Sequence, residues 1–537
     1  MNPESSTPTK PAPPWGTVLL AVATLVFFVG FASATAARLG SGVPLTSVEP
    51  QPLWALQRIA AGEPLYRDFR VERPAVPLTY GPLAYWLPGL AARALGVSGG
   101  EGLLTLGRGF TLVGTLAVFA FAAVAARQRG ATWHFACLAG APLPWLPYAA
   151  EWLVKLNPDS MALAASLAGL VLAGPPGVDK RWRLGAAIAC WLAALALKPT
   201  IIAGPVAFGV ERLLAARALA PGERRAALAP VAIAAGSVIA GALALAALFQ
   251  AATGGVWKLH AVDAMAACEF RFGNAVEALA GLRGGTLATA AEWPALLGGG
   301  GGLLLAAVWA AARATASPLF VAALALGLVQ LLLMSKQGGN VNYLLGPLAL
   351  FGIATASDLP RAPRLVQPLA AAIAALLLLD APRSARATFE MPAVPTREDF
   401  ERAAALARQL GDRTLVLDGP LAAWADLPAP WMDGYHAAIL QRAGLADFTP
   451  ELRALQDGRT RVVLSNAYAW AGASWHGQTL TPGPFLDELR ARWTPARIGP
   501  WTIALQRAAP VGPDLAPSTT MTPARPPAGS PSPTTDP

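Results

Sequence analysis

The chain has 537 residues, 54% of them hydrophobic and only 14% charged, with a mean hydropathy of +0.45. A soluble protein carries roughly a quarter charged residues, so this composition excludes an ordinary globular chain and points to the bilayer. Net charge is +9, but no basic run interleaved with aromatics occurs, which argues against a nucleic-acid partner.

From the N-terminus, a Pro-rich tail over 1–15 is predicted to be disordered, and an apolar stretch follows at 17–37. Only Lys10 supplies basic charge ahead of that stretch, and its length exceeds a signal-peptide core, so it reads as a retained first span. Further apolar stretches lie at 106–126, 131–150, 160–175, 183–197, 199–215, 226–250, 294–312, 316–335, 341–357 and 364–380. These give about eleven spans able to cross about 30 Å of hydrocarbon. The fold class is therefore a mainly α polytopic membrane protein, with its membrane domain over 16–380.

Lys and Arg collect in alternate joints, at 127–129, 180–183, 212–225, 313 and 361–364. Short basic joints stay cytoplasmic, which puts the N-terminus inside and the joints at 151–159, 198, 251–292 and 336–340 outside. The region 38–108 holds seven arginines, offset by Glu49, Glu63, Asp68, Glu72 and Glu101, and is read as containing an external loop over 38–105. Within it, residues 52–61 have the spacing of an amphipathic helix, placing Glu49 at a helix edge near the headgroups. The apolar run from Pro82 to Gly96 is short for a span and is predicted to lie on the interface.

No Asp, Glu, Lys or Arg falls near the middle of any predicted span, whereas ion-coupled transporters need such groups there. The polar groups gather instead at the outer edge: Glu49, the run Asn157-Pro158-Asp159-Ser160, Lys198, and the run from Lys336 to Tyr343. A carboxylate such as Glu49 there can accept a proton from a bound hydroxyl, or simply be a solvated acid near a helix start. Asn-Pro-Asp-Ser ahead of an apolar run is also a helix-start signal, and Lys198 can either snorkel to headgroups or pair with a lipid phosphate. The cysteines Cys137, Cys190 and Cys268 are too scattered to imply disulfides or a zinc site.

Beyond residue 380 the character changes. The strand-like runs 413–418, 461–465 and 501–506 alternate with helical spacing at 398–409, 435–443 and 485–493, predicting a small extracytoplasmic α/β domain over 381–509. The tail 510–537, rich in Pro, Ser and Thr, is predicted to be disordered.

Taken together, these motifs resemble the GT-C superfamily of polytopic glycosyltransferases that use polyprenyl-phosphate sugars, which includes protein O-mannosyltransferases and aminoarabinose transferases of lipid A. Four places carry the resemblance: Glu49 through Phe69; Tyr80 through Pro88 with Arg108 beyond it; Leu156-Asn157-Pro158-Asp159, where Asn157 stands in place of a usual Arg; and Lys336 through Tyr343.

The resemblance implies an inverting transfer of a sugar from a polyprenyl-phosphate donor to an extracytoplasmic hydroxyl, in the bacterial inner membrane. Glu49 is the expected general base and Asp159 its catalytic companion. Lys198, Lys336, Arg58 and Arg67 are expected at the donor phosphate, and Tyr66, Tyr85, Asn157, Asn342, Tyr343, Trp257 and His260 at the substrates. The acceptor is a glycan, lipid or protein, and membrane lipids surround the chain. The outer carboxylates leave room for a divalent metal, though no His cluster accompanies them. A flippase, a non-catalytic scaffold of the same fold and a ligase using a pyrophosphate-linked donor are the alternatives.

Overall fold

The computed structural model describes residues 15–44, 48–140, 143, 151–178, 180–275, 317–337, 341–358, 396–466, 474–475, 478–479, 481–498 and 501–506. The predicted spans 294–312 and 364–380, the tail 510–537 and residues 1–14 lie outside these.

The described chain is mainly helical. Helix α1 (Trp15–Leu39) leads into the first loop, which forms two short helices, α2 (Pro50–Ala60) and α3 (Leu83–Ala94). At 12 residues, α3 is about 18 Å long and cannot cross the hydrocarbon. The bundle continues with α4 (Gly100–Gln128), α5 (Asp159–Ala173), α6 (Arg181–Leu197), α7 (Ala203–Arg217), α8 (Pro221–Ala252), α9 (Pro318–Met334) and α10 (Leu345–Asp358). Among the described residues, α4 and α8 are long and apolar enough to cross a membrane by themselves. The expected span 131–150 is described as helix only over Trp133–Ala136.

Helix α5 sits at the centre, packed against α4, α6 and α7, with α9 and α10 closing around α7 and α4. Small residues let the backbones approach closely, as is usual where helices meet in lipid. A Cβ on Gly114 of α4 would stand 2.7 Å from the Met161 backbone nitrogen, so only glycine fits there. The core between these helices is built from Leu163, Leu167, Trp191, Phe320 and Leu348. Helix α8 turns the other way, leaving Ile239 62% and Leu243 67% exposed, the surface a lipid-facing helix presents.

The bundle has two chemically distinct ends. At one, Arg129 forms a buried ion pair with Glu211 at 2.6 Å, and Arg183 donates to the Leu172 carbonyl at 2.7 Å. At the other lie the first loop and the C-terminal unit. That unit has a four-stranded sheet ordered β1-β2-β6-β5, from β1 (Thr414–Val416), β2 (Val462–Asn466), β5 (Trp493–Ile498) and β6 (Trp501–Gln506), plus a small ribbon of β3 (Ser474–Trp475) with β4 (Gln478–Thr479). Strands β1 and β2 run parallel, and the β2/β6 and β6/β5 pairs are antiparallel. Helices α11 (Arg397–Leu410), α12 (Gly419–Ala425), α13 (Gly434–Arg442), α14 (Thr449–Gln456) and α15 (Gly483–Arg492) surround the sheet.

This α/β unit packs against the first loop. Leu53, Leu56 and Tyr85 of the first loop share one apolar cluster with Phe400, Leu421 and Leu464, and Phe69 and Ala75 share another with Trp431, Phe448 and Trp493. Polar contacts repeat the pattern. The Trp424 indole donates to the Gly42 carbonyl at 2.9 Å, the Ala75 N–H donates to the Pro430 carbonyl at 2.8 Å, and Arg73 pairs with Glu451 at 2.6 Å.

Candidate active site

Lys198 ends α6 with extended backbone, and Pro199 follows it, so the helix stops and the side chain turns into the bundle. Its ammonium lies 2.6 Å from Oδ1 of Asp159, the first residue of α5, and both side chains are buried. Three rings wall it in: Tyr80 and Tyr343 at 5.5 Å and Trp152 at 5.6 Å from their centroids. An aromatic cage favours a cation through the negative ring faces and keeps water away from it.

Asn342 donates to the same Asp159 Oδ1 at 2.9 Å, while the Asn157 amide oxygen accepts the Asp159 backbone N–H at 2.9 Å. Three buried polar atoms in this group have no hydrogen-bond partner among the described residues: Asp159 Oδ2, Asn342 Oδ1 and Asn157 Nδ2. A buried polar atom left unpaired costs about 1–3 kcal/mol, so a cluster of them marks a place a ligand completes. Two acceptors and one amide donor suit hydroxyl-bearing ligands such as sugars. Burial and then the Asp159 charge push the Tyr80 hydroxyl well above its ordinary ionisation range, so it remains a neutral donor.

Glu49 stands at the N-cap of α2, the helix edge where the sequence places it. It is fully buried, and its carboxylate is gripped by Arg108 of α4 through two hydrogen bonds of 2.9 Å each. The Leu156 N–H donates to it as well, at 3.0 Å. The loop arginines are also engaged by their own loop. Arg58 donates to the Pro64 carbonyl at 2.9 and 2.7 Å, meets Glu63 at 3.1 Å and stacks on Trp54, so all three of its nitrogens make a contact within its own loop. Arg67 sits between Glu63 at 3.0 Å and Glu72 at 3.1 Å.

His260, expected at a substrate, is a staple between loops. Its Nδ1 accepts the Leu78 N–H at 3.0 Å, and its Nε2 donates to the Arg67 carbonyl at 2.7 Å, which consumes both ring nitrogens. Burial lowers its pKa to about 4, which keeps the ring neutral. The Tyr66 ring stands edge-on to His260 and Tyr85 accepts the Tyr80 N–H, so these two tyrosines support the wall from behind. Trp257 packs near Phe249, and its buried indole N–H has no hydrogen-bond partner among the described residues. Lys336 bridges to Phe270 through its backbone, beside Gln337, whose side chain binds the Glu269 N–H and Arg442. Among the described residues no group of three metal-ligating side chains occurs.

Tyr80, Trp152 and Arg108 thus join the site without having been singled out as site residues from sequence. Tyr80 and Arg108 lie inside runs quoted for the family resemblance, and only their spatial partners reveal what they do.

Comparison with solved structures shows that ArnT and an archaeal oligosaccharyltransferase share this fold. ArnT from Cupriavidus metallidurans bound to undecaprenyl phosphate superposes with a TM-score of 0.53 at 13% identity, over 93% of this chain and 99% of ArnT. The apo form of ArnT gives 0.50 at 13% identity, over 91% and 97% of the two chains. The apo oligosaccharyltransferase of Archaeoglobus fulgidus gives 0.51 at 11% identity, over 92% of this chain and 75% of the other. No protein-family model matches the sequence, and no curated protein matches it.

Proposed function

We propose that this protein is a membrane glycosyltransferase that moves a sugar from a polyprenyl-phosphate donor to an acceptor hydroxyl at the extracytoplasmic face, with inversion. The observation that carries this reading is the buried Asp159–Lys198 pair with its unpartnered carboxylate oxygen. The ArnT structure with undecaprenyl phosphate supports the donor class.

In this reading the acceptor hydroxyl hydrogen-bonds to Asp159 Oδ2 and gives up its proton there as its oxygen attacks the anomeric carbon. The bond between that carbon and the phosphate oxygen breaks on the opposite face, and the polyprenyl phosphate leaves as an anion. Lys198 has three N–H donors, of which Asp159 uses one, so it can also meet the phosphate. Asn157 and Asn342 orient sugar hydroxyls. Asp159 takes the role of base that the sequence suggested for Glu49, because both Glu49 oxygens already face Arg108.

The membrane orientation follows from the two ends of the bundle. The end holding Arg127, Arg129, Arg183 and Arg212 lies in the cytoplasm, and the site, the first loop and the α/β unit lie outside. About eleven spans with the N-terminus inside satisfy this arrangement.

The test is sugar transfer by the purified protein in lipid nanodiscs, supplied with radiolabelled polyprenyl-phosphate sugars. Asp159→Asn is expected to lower transfer by about 100-fold or more, the scale of losing a general base. Unchanged transfer in that variant would remove Asp159 from the chemistry, and transfer only from pyrophosphate-linked donors would make the protein a ligase.

A further inference from the structure

We infer that Glu49 and Arg108 are positioning residues which, with a polar face of α4, fix the backbone that presents Asp159. The inference rests on the reading above, in which Asp159 takes the acceptor proton.

A guanidinium has five N–H donors in a rigid fork, and here the whole fork is occupied. Nε and Nη2 of Arg108 reach Glu49; Nη1 reaches the Arg38 carbonyl at 2.8 Å and the Ser41 hydroxyl at 2.9 Å; Nη2 also reaches the Val43 carbonyl at 2.9 Å. The Leu156 N–H on Glu49 Oε1 brings a further segment into the same knot. One buried ion pair therefore joins the exit of α1, the start of α2, the body of α4 and the strand of chain that leads into α5.

The same side of α4 continues the grip. Thr111 and Thr115 follow Arg108 at helical spacing, so all three side chains share a face. The Thr111 hydroxyl donates to the Asn157 carbonyl at 3.2 Å, the Ser160 hydroxyl donates to the Thr111 carbonyl at 2.7 Å, and the Thr115 hydroxyl donates to the Leu153 carbonyl. Gly107 and Gly114 remove the side chains that would hold this segment off: a Cβ on the first overlaps Leu156, and one on the second meets Met161 and Ser160. The approach to Asp159 is held at Leu153, Leu156, Asn157 and Ser160 by α4 and its Glu49 partner. Asn157 passes that order to Asp159 through its own side chain.

Such a knot does little for proton transfer. Arg108 holds both Glu49 oxygens and the Leu156 N–H holds Oε1 as well, whereas Asp159 keeps Oδ2 without a partner among the described residues, so the open acceptor is on Asp159 and not in the knot. What the knot supplies is direction, and a misplacement of about 1 Å at a reacting group can cost about 100-fold in rate.

Hydrogen–deuterium exchange on the full chain in nanodiscs tests this, using Glu49→Gln, Arg108→Gln, their double variant and the near-isosteric Thr111→Val. Amide exchange across 153–161 is expected to rise about tenfold in each single variant. The double variant should be no faster than the Glu49 or Arg108 single, because the two act as a unit. In transfer assays kcat should fall about 10- to 100-fold in the ion-pair variants while the donor KM holds. Thr111→Val keeps the charges and fills the same volume, so it remains informative if the ion-pair variants fold poorly. Unchanged protection of 153–161 in Thr111→Val and the ion-pair variants would overturn the inference. So would loss of transfer confined to Glu49→Gln with Arg108→Gln still active, since that makes Glu49 the base. The expected exchange pattern in a protein that transfers no sugar would sink the transferase reading and leave the positioning role standing.

Discussion

Lys198 and Asp159 hold each other's charge in a place where neither can be left alone. Removing one partner of a buried ion pair typically costs about 3–5 kcal/mol, because the other remains charged without compensation. Lys198→Met should therefore lower the unfolding temperature in detergent by several degrees, and adding Asp159→Asn should restore much of it while transfer stays absent. A double variant no more stable than Lys198→Met would show that the two side chains do not share their charge. His260 makes a separate prediction through pH. Its folded pKa is lowered from 6.5 to about 4 by burial, so between these values the unfolded chain binds a proton that the folded one does not. The stabilisation is intact above about 6.5 and is lost as pH falls towards about 4, amounting to up to about 3 kcal/mol. Thermal melts from pH 7 to 4.5 should slope downward more steeply for the wild type than for His260→Gln, which has no proton to gain. Parallel slopes would mean that His260 is already charged in the fold.

Gly81 joins the first loop to the end of α6. Its N–H donates to the Leu197 carbonyl at 3.0 Å, and a Cβ there would overlap the Ala196 carbonyl. Gly81→Ala must push the loop outward, and Tyr80 with it, opening the cage beside Lys198. The expected result is a loss of donor binding larger than the loss of stability, read as a rise in donor KM of about tenfold with a small change in melting temperature. An unchanged KM would show that the Tyr80 wall is not used. The same element shows which parts of the site sequence can reveal. Asp159 and Lys198 are legible as candidates because both fall at the same predicted edge of the spans as the other polar runs, although a helix start and snorkelling account for each taken alone. Helices such as α5 and α6 are legible from apolar runs bounded by polar residues. Tyr80 and Trp152 are not, since an aromatic near a membrane edge is ordinarily an anchor. For Arg58, only the fold shows the contacts it makes with Pro64, Glu63 and Trp54. Glu49 meets Arg108 across 59 residues, a separation no local pattern reports.

For the molecule as a whole, the first loop and the α/β unit share two apolar cores, which predicts that they unfold together. Sequence divides them, because the composition changes after residue 380; packing unites them, because α2 is too short and too amphipathic to bury its apolar face alone. The α/β unit supplies that cover, and the loop in turn covers the helices and sheet of the unit. Trp431 is where this union is most exposed to test. It is fully buried, with Phe448 and Phe485 edge-on at 5.0 and 5.1 Å, and its backbone bridges to Ala75 of the first loop. Trp431→Ala should cost about 3–5 kcal/mol as a cavity in a packed core. If the body is one unit, that loss must reach the site, because the loop carrying Tyr80 loses its support along with the domain. Calorimetry should then show a single transition moved to lower temperature, with transfer activity disappearing at the same point. Two transitions, of which only the lower one moves while transfer persists through it, would mean that the α/β unit unfolds alone and that the loop keeps its shape without it.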